Sequence, residues 1–148
     1  MPAEYIPSGH HTVTPYLVVE GAERLMTFIA DVLDGTEIVR MQGPDGRIAH
    51  AEMRVGDSVV MLADTPAPGE ETPAMLHIYV PDSDATYRRA MQTGATSLRE
   101  PQDEFYGDRM SGVQDSTGIK WYFATHVEDI SDEELARRAE QAARDESA

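Results

Sequence analysis

The chain has 148 residues, 41% apolar and 26% charged, which is ordinary globular usage and enough for one domain with its own hydrophobic core. Twelve basic residues stand against 27 acidic ones, and the net charge of −15 disfavours nucleic acid and anionic lipid as partners while suiting a cationic ligand. The absence of cysteine excludes disulfides, thiolate metal sites and a cysteine nucleophile. The opening MPAEYIPSGHH has no basic region followed by an apolar run, and no stretch is apolar for long enough to cross a bilayer, so the expectation is a soluble, cytoplasmic protein.

In chain order, residues 14–19 read as a strand. Leu25, Phe28, Ile29, Val32 and Leu33 then recur at helical spacing, and Gly35 stands where a helix-terminating glycine belongs. RIAHAEMRVGDSVVMLAD is two β-rich runs hinged on Gly56-Asp57, a hairpin signal that leaves the turn subtype open. TPAPGEETPA is a linker. MLHIYV follows as a strand, PDSDATYRRAMQTG as a capped helix closed by Gly94, residues 96–99 as a β segment, and FYGDRMSGVQDSTGIKWYFAT as a hairpin around Asp115-Ser116-Thr117-Gly118. Both halves thus run βαβββ, with Val19 and Val80, Gly35 and Gly94, and Arg47 and Arg109 at similar places, as a duplicated module should. In the tail, Ser131 with Glu134 makes a capping box and Ile130 with Leu135 a hydrophobic staple. Glu133/Arg137, Glu134/Arg138 and Glu140/Arg144 add surface pairs to a helix whose apolar face is mostly alanine. The expected fold class is α+β: one domain over residues 1–129, with modules at about 12–64 and 74–126, and a charged C-terminal helix or tail over 130–148.

Three segments, YIPSGHHTVTPYLVVEGAERLMTFI, DGRIAHAEMRVGDSVVMLAD and FYGDRMSGVQDSTGIKWYFATH, in this order and on this duplicated plan, resemble the PhnB-like branch of the glyoxalase/bleomycin-resistance (vicinal oxygen chelate) superfamily over residues 5–129. The resemblance implies paired βαβββ modules whose sheets curve around a cavity, commonly in a homodimer. It also implies a divalent-metal site in the enzymes of the superfamily, and its four ligand positions fall here on Thr14, Met61, Met75 and Tyr122. A hydroxyl, two thioethers and a phenol do not replace imidazole and carboxylate for such an ion.

Strand parity supplies a separate reading. Leu17, Val19, Leu76, Ile78, Val80, Ala49, Ala51, Met53, Val55, Trp121 and Phe123 take the core parity. The opposite face carries Ile48 and Arg54 and, as candidate ligand-binding residues, Tyr16, His50, Glu52, Met61, Met75, His77, Tyr79, Gln114 and Tyr122. Aromatics and methionines around a few polar groups suit a small organic ligand. His50 and Glu52, two apart on one strand, form a carboxylate-oriented base, two ligands of a displaced metal site with His77, or a structural polar cluster with Arg54. His10 and His11 fall in a flexible lead segment, His126 follows the last strand, and Arg109 pairs with an anionic ligand or with nearby Asp108 and Asp115. The leading expectation is a cofactor-free, metal-independent protein of the bleomycin-resistance type that holds a small molecule. The alternatives are a divalent-metal lyase, isomerase or dioxygenase, and an interaction protein with a vestigial pocket.

Overall fold

The periodicities read from the chain become eleven elements in a computed structural model that describes residues 4–72 and 74–147. Residues 1–3, Pro73 of the linker and Ala148 lie outside the described residues. The first module is β1 (Tyr16–Val19), α1 (Ala22–Leu33), β2 (Thr36–Gln42), β3 (Ile48–Val55) and β4 (Ser58–Asp64). The second is β5 (Met75–Tyr79), α2 (Ser83–Gln92), β6 (Thr96–Asp103), β7 (Asp108–Gln114) and β8 (Lys120–His126), and α3 (Asp132–Glu146) follows. Strand β1 therefore starts two residues later than the pattern predicts, and β6 runs four residues further. Each module forms one four-stranded sheet, in the orders β1-β4-β3-β2 and β5-β8-β7-β6. In both, the first strand runs parallel to the last and the other pairs are antiparallel. Tyr16 pairs with Met61 and His77 with Tyr122 at the same sequence separation, so the duplication holds at the level of backbone register.

Helix α1 shows how sequence and tertiary context divide the work. Its apolar stripe buries Leu25, Ile29 and Val32, each worth about 1.5–3 kcal/mol on leaving water. Gly21 offers no side chain to cap the helix, and Asp64 at the end of β4 takes over. One Asp64 oxygen accepts from the backbone N–H groups of Gly21 (3.2 Å) and Ala22 (2.9 Å), the other from that of Ile48 (2.8 Å). At the far end the left-handed residue is Asp34 (φ 54°), a correction to the reading of Gly35 as the terminator. Gly35 is required for space instead: a Cβ there would lie 2.5 Å from Ile29 Cγ2. Val55 pairs with Ser58, which leaves Gly56-Asp57 as a two-residue loop with only Gly56 left-handed, the pattern of a type II′ turn.

Trp121 and Phe123 are buried, and Phe28 of α1 meets the Trp121 ring at 5.5 Å. The modules join through the helices: α1 packs against α2, and Arg89 of α2 donates to the Val32 carbonyl (3.0 Å). Core parity fails at one place. Ile48 is buried and Ala49 exposed, because the β2–β3 register shifts between Met41/His50 and Gln42/Ile48, and a bulge there exchanges the two faces. Helix α3 is capped by Ser131, whose hydroxyl accepts from Glu134 N–H (3.2 Å), but it buries no residue. Arg138 anchors it to Glu128 (2.8 Å) and to the Phe105 carbonyl (3.4 Å). Arg137 pairs with Glu134, and Arg144 bonds Gln141, rather than the predicted Glu133 and Glu140. Among the described residues no helix is long and apolar enough to cross a membrane.

Candidate functional site

Each sheet turns one face to its helix and leaves the other open, and the predicted ligand residues divide between these two open faces. On the first sheet, Tyr16, Met61 and Glu52 are neighbours across β1, β4 and β3, as the pairing through Gly56-Asp57 predicts. A continuous set of hydrogen bonds runs over this face. Tyr16 Oη lies 2.8 Å from His50 Nδ1, His50 Nε2 lies 2.9 Å from Glu52 Oε2, and Glu52 Oε1 lies 3.0 Å from His10 Nε2. The bond from His50 holds the Glu52 carboxyl below its ordinary value, and the weaker contribution of His10 adds to it against the upward push of burial.

His10 is the residue that strand parity misses. The segment before β1 does not hang free: His10 N–H closes a turn onto the Pro7 carbonyl (3.0 Å), and Arg54 donates to the Gly9 carbonyl (3.3 Å). The signal was the Ser8-Gly9 pair after Pro7, turn chemistry that sends the chain back over the sheet. Tyr5, Ile6, His10, Thr14 and Met61 border a hollow of about 300 Å³ between this segment and β4.

The second open face is aromatic. Met75 and Tyr79 are 67% and 70% exposed, and the His77 and Tyr79 rings meet edge to face at 5.1 Å. Tyr122 lies across Gly112, where a Cβ would stand 2.7 Å from the ring, so only glycine admits this ring position. Gln114 donates to the Gly118 carbonyl (3.4 Å) and braces the β7–β8 turn. Three other expectations are corrected. Arg109 pairs with Asp84 (2.7 Å) and Asp103 (3.1 Å), not with Asp108 or Asp115. His126 is the last residue of β8 and bonds Asp108 and Asp129, each at 2.8 Å, which raises its pKa, Asp108 having the larger effect. His77, on β5, does not join His50 and Glu52 on the first sheet.

The sequence model of the glyoxalase/bleomycin resistance protein/dioxygenase superfamily matches residues 9–123, a span that contains both modules up to Phe123 of β8. The chain belongs to this superfamily. It is 33% identical over 134 residues to the protein Rv0887c of Mycobacterium tuberculosis, covering 83% of this chain and 79% of that one. Identity to Mb0911c of Mycobacterium bovis is also 33%, over 88% of that protein. Among solved structures it is similar to TioX from Micromonospora sp. ML1, with 26% identity, a TM-score of 0.68, and 79% of this chain and 99% of TioX covered. It shares its fold with the fosfomycin resistance protein FosX from Mesorhizobium loti, with 16% identity, a TM-score of 0.58, and coverage of 78% and 90%.

The metal that the superfamily implies does not suit the side chains at the implied positions. Thr14 Oγ1 donates to the His11 carbonyl (3.3 Å), Met61 and Met75 offer thioethers from different sheets, and Tyr122 offers a phenol against Gly112. None supplies imidazole or carboxylate. Among the described residues no group of three His, Cys, Asp or Glu side chains is placed to hold an ion.

Proposed function

We propose that this superfamily member is a metal-independent binding protein for a small organic molecule, acting in the cytoplasm in the manner of the bleomycin-resistance and PhnB-like branch. The observation that carries this reading is the pair of open sheet faces, one polar with Tyr16, His50 and Glu52, the other aromatic with His77, Tyr79 and Tyr122. In a homodimer, the polar face of one chain opposite the aromatic face of its partner encloses a cleft that neither face forms alone. A flat, cationic ligand suits both the aromatic face and a chain of net charge −15, and basic antibiotics belong to that class.

The test is elemental analysis of untagged protein, followed by thermal-shift series with divalent ions and with cationic aromatic compounds. The expected result is metal well below one ion per chain, no change in Tm with Zn²⁺, Mn²⁺ or Mg²⁺, and stabilisation by at least one cation; a ligand at a hundred times its Kd adds about 2.7 kcal/mol. Stoichiometric metal that raises Tm overturns the reading.

A further inference from the structure

We propose that Tyr16 is an activated nucleophile for an electrophilic ligand, an acyl or sulfonyl compound, with His50 as its base and Glu52 as the residue that positions His50. The proposal rests on the reading of the first sheet's open face as the ligand face, and goes beyond binding to reactivity.

For a neutral His50 ring, the hydrogen-bond inventory fixes the protons. Ionised Glu52 only accepts, so His50 presents Nε2–H to it and keeps the Nδ1 lone pair for the Tyr16 hydroxyl at 2.8 Å. Glu52 cannot turn away, because its second oxygen is held by His10 Nε2 (3.0 Å). His10 Nδ1 faces the Ser8 carbonyl (3.3 Å), so both of its nitrogens point at acceptors. The sequence of nucleophile, base and orienting carboxylate is the arrangement that activates hydroxyl nucleophiles. Accessibility is graded to match: the Glu52 side chain is 14% exposed and Tyr16 is 43% exposed.

The fold does not require this chain of bonds. The duplicated sheet places His77 where the first has Tyr16, and Gly112 where it has Glu52, and builds the same strand order without it. With phenylmethanesulfonyl fluoride as probe, Tyr16 Oη forms a bond to sulfur, the S–F bond breaks and fluoride leaves. The phenol proton passes to His50 Nδ1, and the resulting imidazolium faces Glu52. No oxidant or reductant is needed.

The experiment follows labelling of the full chain by peptide mass mapping, with Tyr5 (93% exposed) as internal standard. This standard hydrogen-bonds no histidine and is more exposed, so accessibility alone ranks Tyr16 behind it. The expected result is Tyr16 labelled at least about tenfold faster than Tyr5, below the 10²–10⁴ typical of a positioned general base. His50→Phe and Glu52→Gln should bring Tyr16 down to the rate of Tyr5 without changing the latter. Nitrogen-15 NMR of the imidazoles should show neutral His50 protonated on Nε2, and a tautomer mixture in Glu52→Gln; the loss of Tyr16 labelling in the same variant is the change that a merely structural carboxylate would not produce. Tyr16 labelled no faster than Tyr5, or His50 protonated on Nδ1 alone, overturns the proposal. Neither measurement uses the natural ligand, so this inference and the binding reading fail independently.

Discussion

Asp115, buried below the β7–β8 turn, gathers four donors with one carboxylate. Oδ1 accepts from Thr117 N–H (2.7 Å), Thr117 hydroxyl (2.6 Å) and Ile119 N–H (3.3 Å), while Oδ2 accepts from Trp121 Nε1–H (2.7 Å). The turn residue was legible in the sequence, because aspartate that bonds the backbone two residues on is local chemistry. Its bond to the buried indole was not, since that depends on how the strand closes. Asp115→Ala should cost about 2–3 kcal/mol by urea denaturation, through the buried donors it leaves unpaired. Glycine substitutions separate two kinds of constraint. Gly35→Ala should cost about 1–3 kcal/mol, because the added methyl enters Ile29. Gly46→Ala meets nothing within 4 Å, and at φ 81° should cost only about 1 kcal/mol of backbone strain.

Among the elements, α1 depends most on a residue from elsewhere. Burial pushes the Asp64 carboxyl up, but the N–H groups of Ala22, Ile48 and Gly21, together with Arg47, bring it below its ordinary 3.8. A depressed value means stability that is present above the unfolded pKa and lost as pH falls through the folded one. Asp64→Asn should therefore lower Tm at pH 7, by the equivalent of about 1–2 kcal/mol for a lost cap, and the gap to the wild type should narrow as both are taken toward pH 3. Helix α3 is the opposite case. Its cap and its pairs within the helix are near neighbours in sequence, so the helix was legible, yet it buries nothing and, among the described residues, only Arg138 ties it to the body, through Glu128 and the Phe105 carbonyl. Ending the chain at Ile130 should shift Tm by no more than a few degrees in calorimetry, since exposed ion pairs contribute about 0–1 kcal/mol.

For the whole molecule, the open face of the second sheet is where assembly is tested. Met75 and Tyr79 point outward on a sheet whose other face is packed, and the proposed homodimer covers them. Sedimentation equilibrium should give twice the 16.3 kDa chain mass, and the double substitution Met75→Asp, Tyr79→Asp should give monomers with an unchanged circular dichroism spectrum. A wild-type monomer at micromolar concentration would remove the shared cleft.

The sequence by itself determined the two βαβββ modules, the hairpin register that sets Glu52 beside Met61, the buried Trp121 and Phe123, and the capped tail helix. All of these follow from periods of 2 and 3.6 residues and from turn chemistry, which are properties of short windows of chain. Only the tertiary structure decided that His10 closes onto Glu52, that a bulge exchanges Ile48 with Ala49, that Asp64 caps α1 from another strand, and that His77 stands apart from His50. These depend on long-range closure, where residues 42 apart, such as His10 and Glu52, meet because a turn and a sheet bring them together. No local pattern carries that distance.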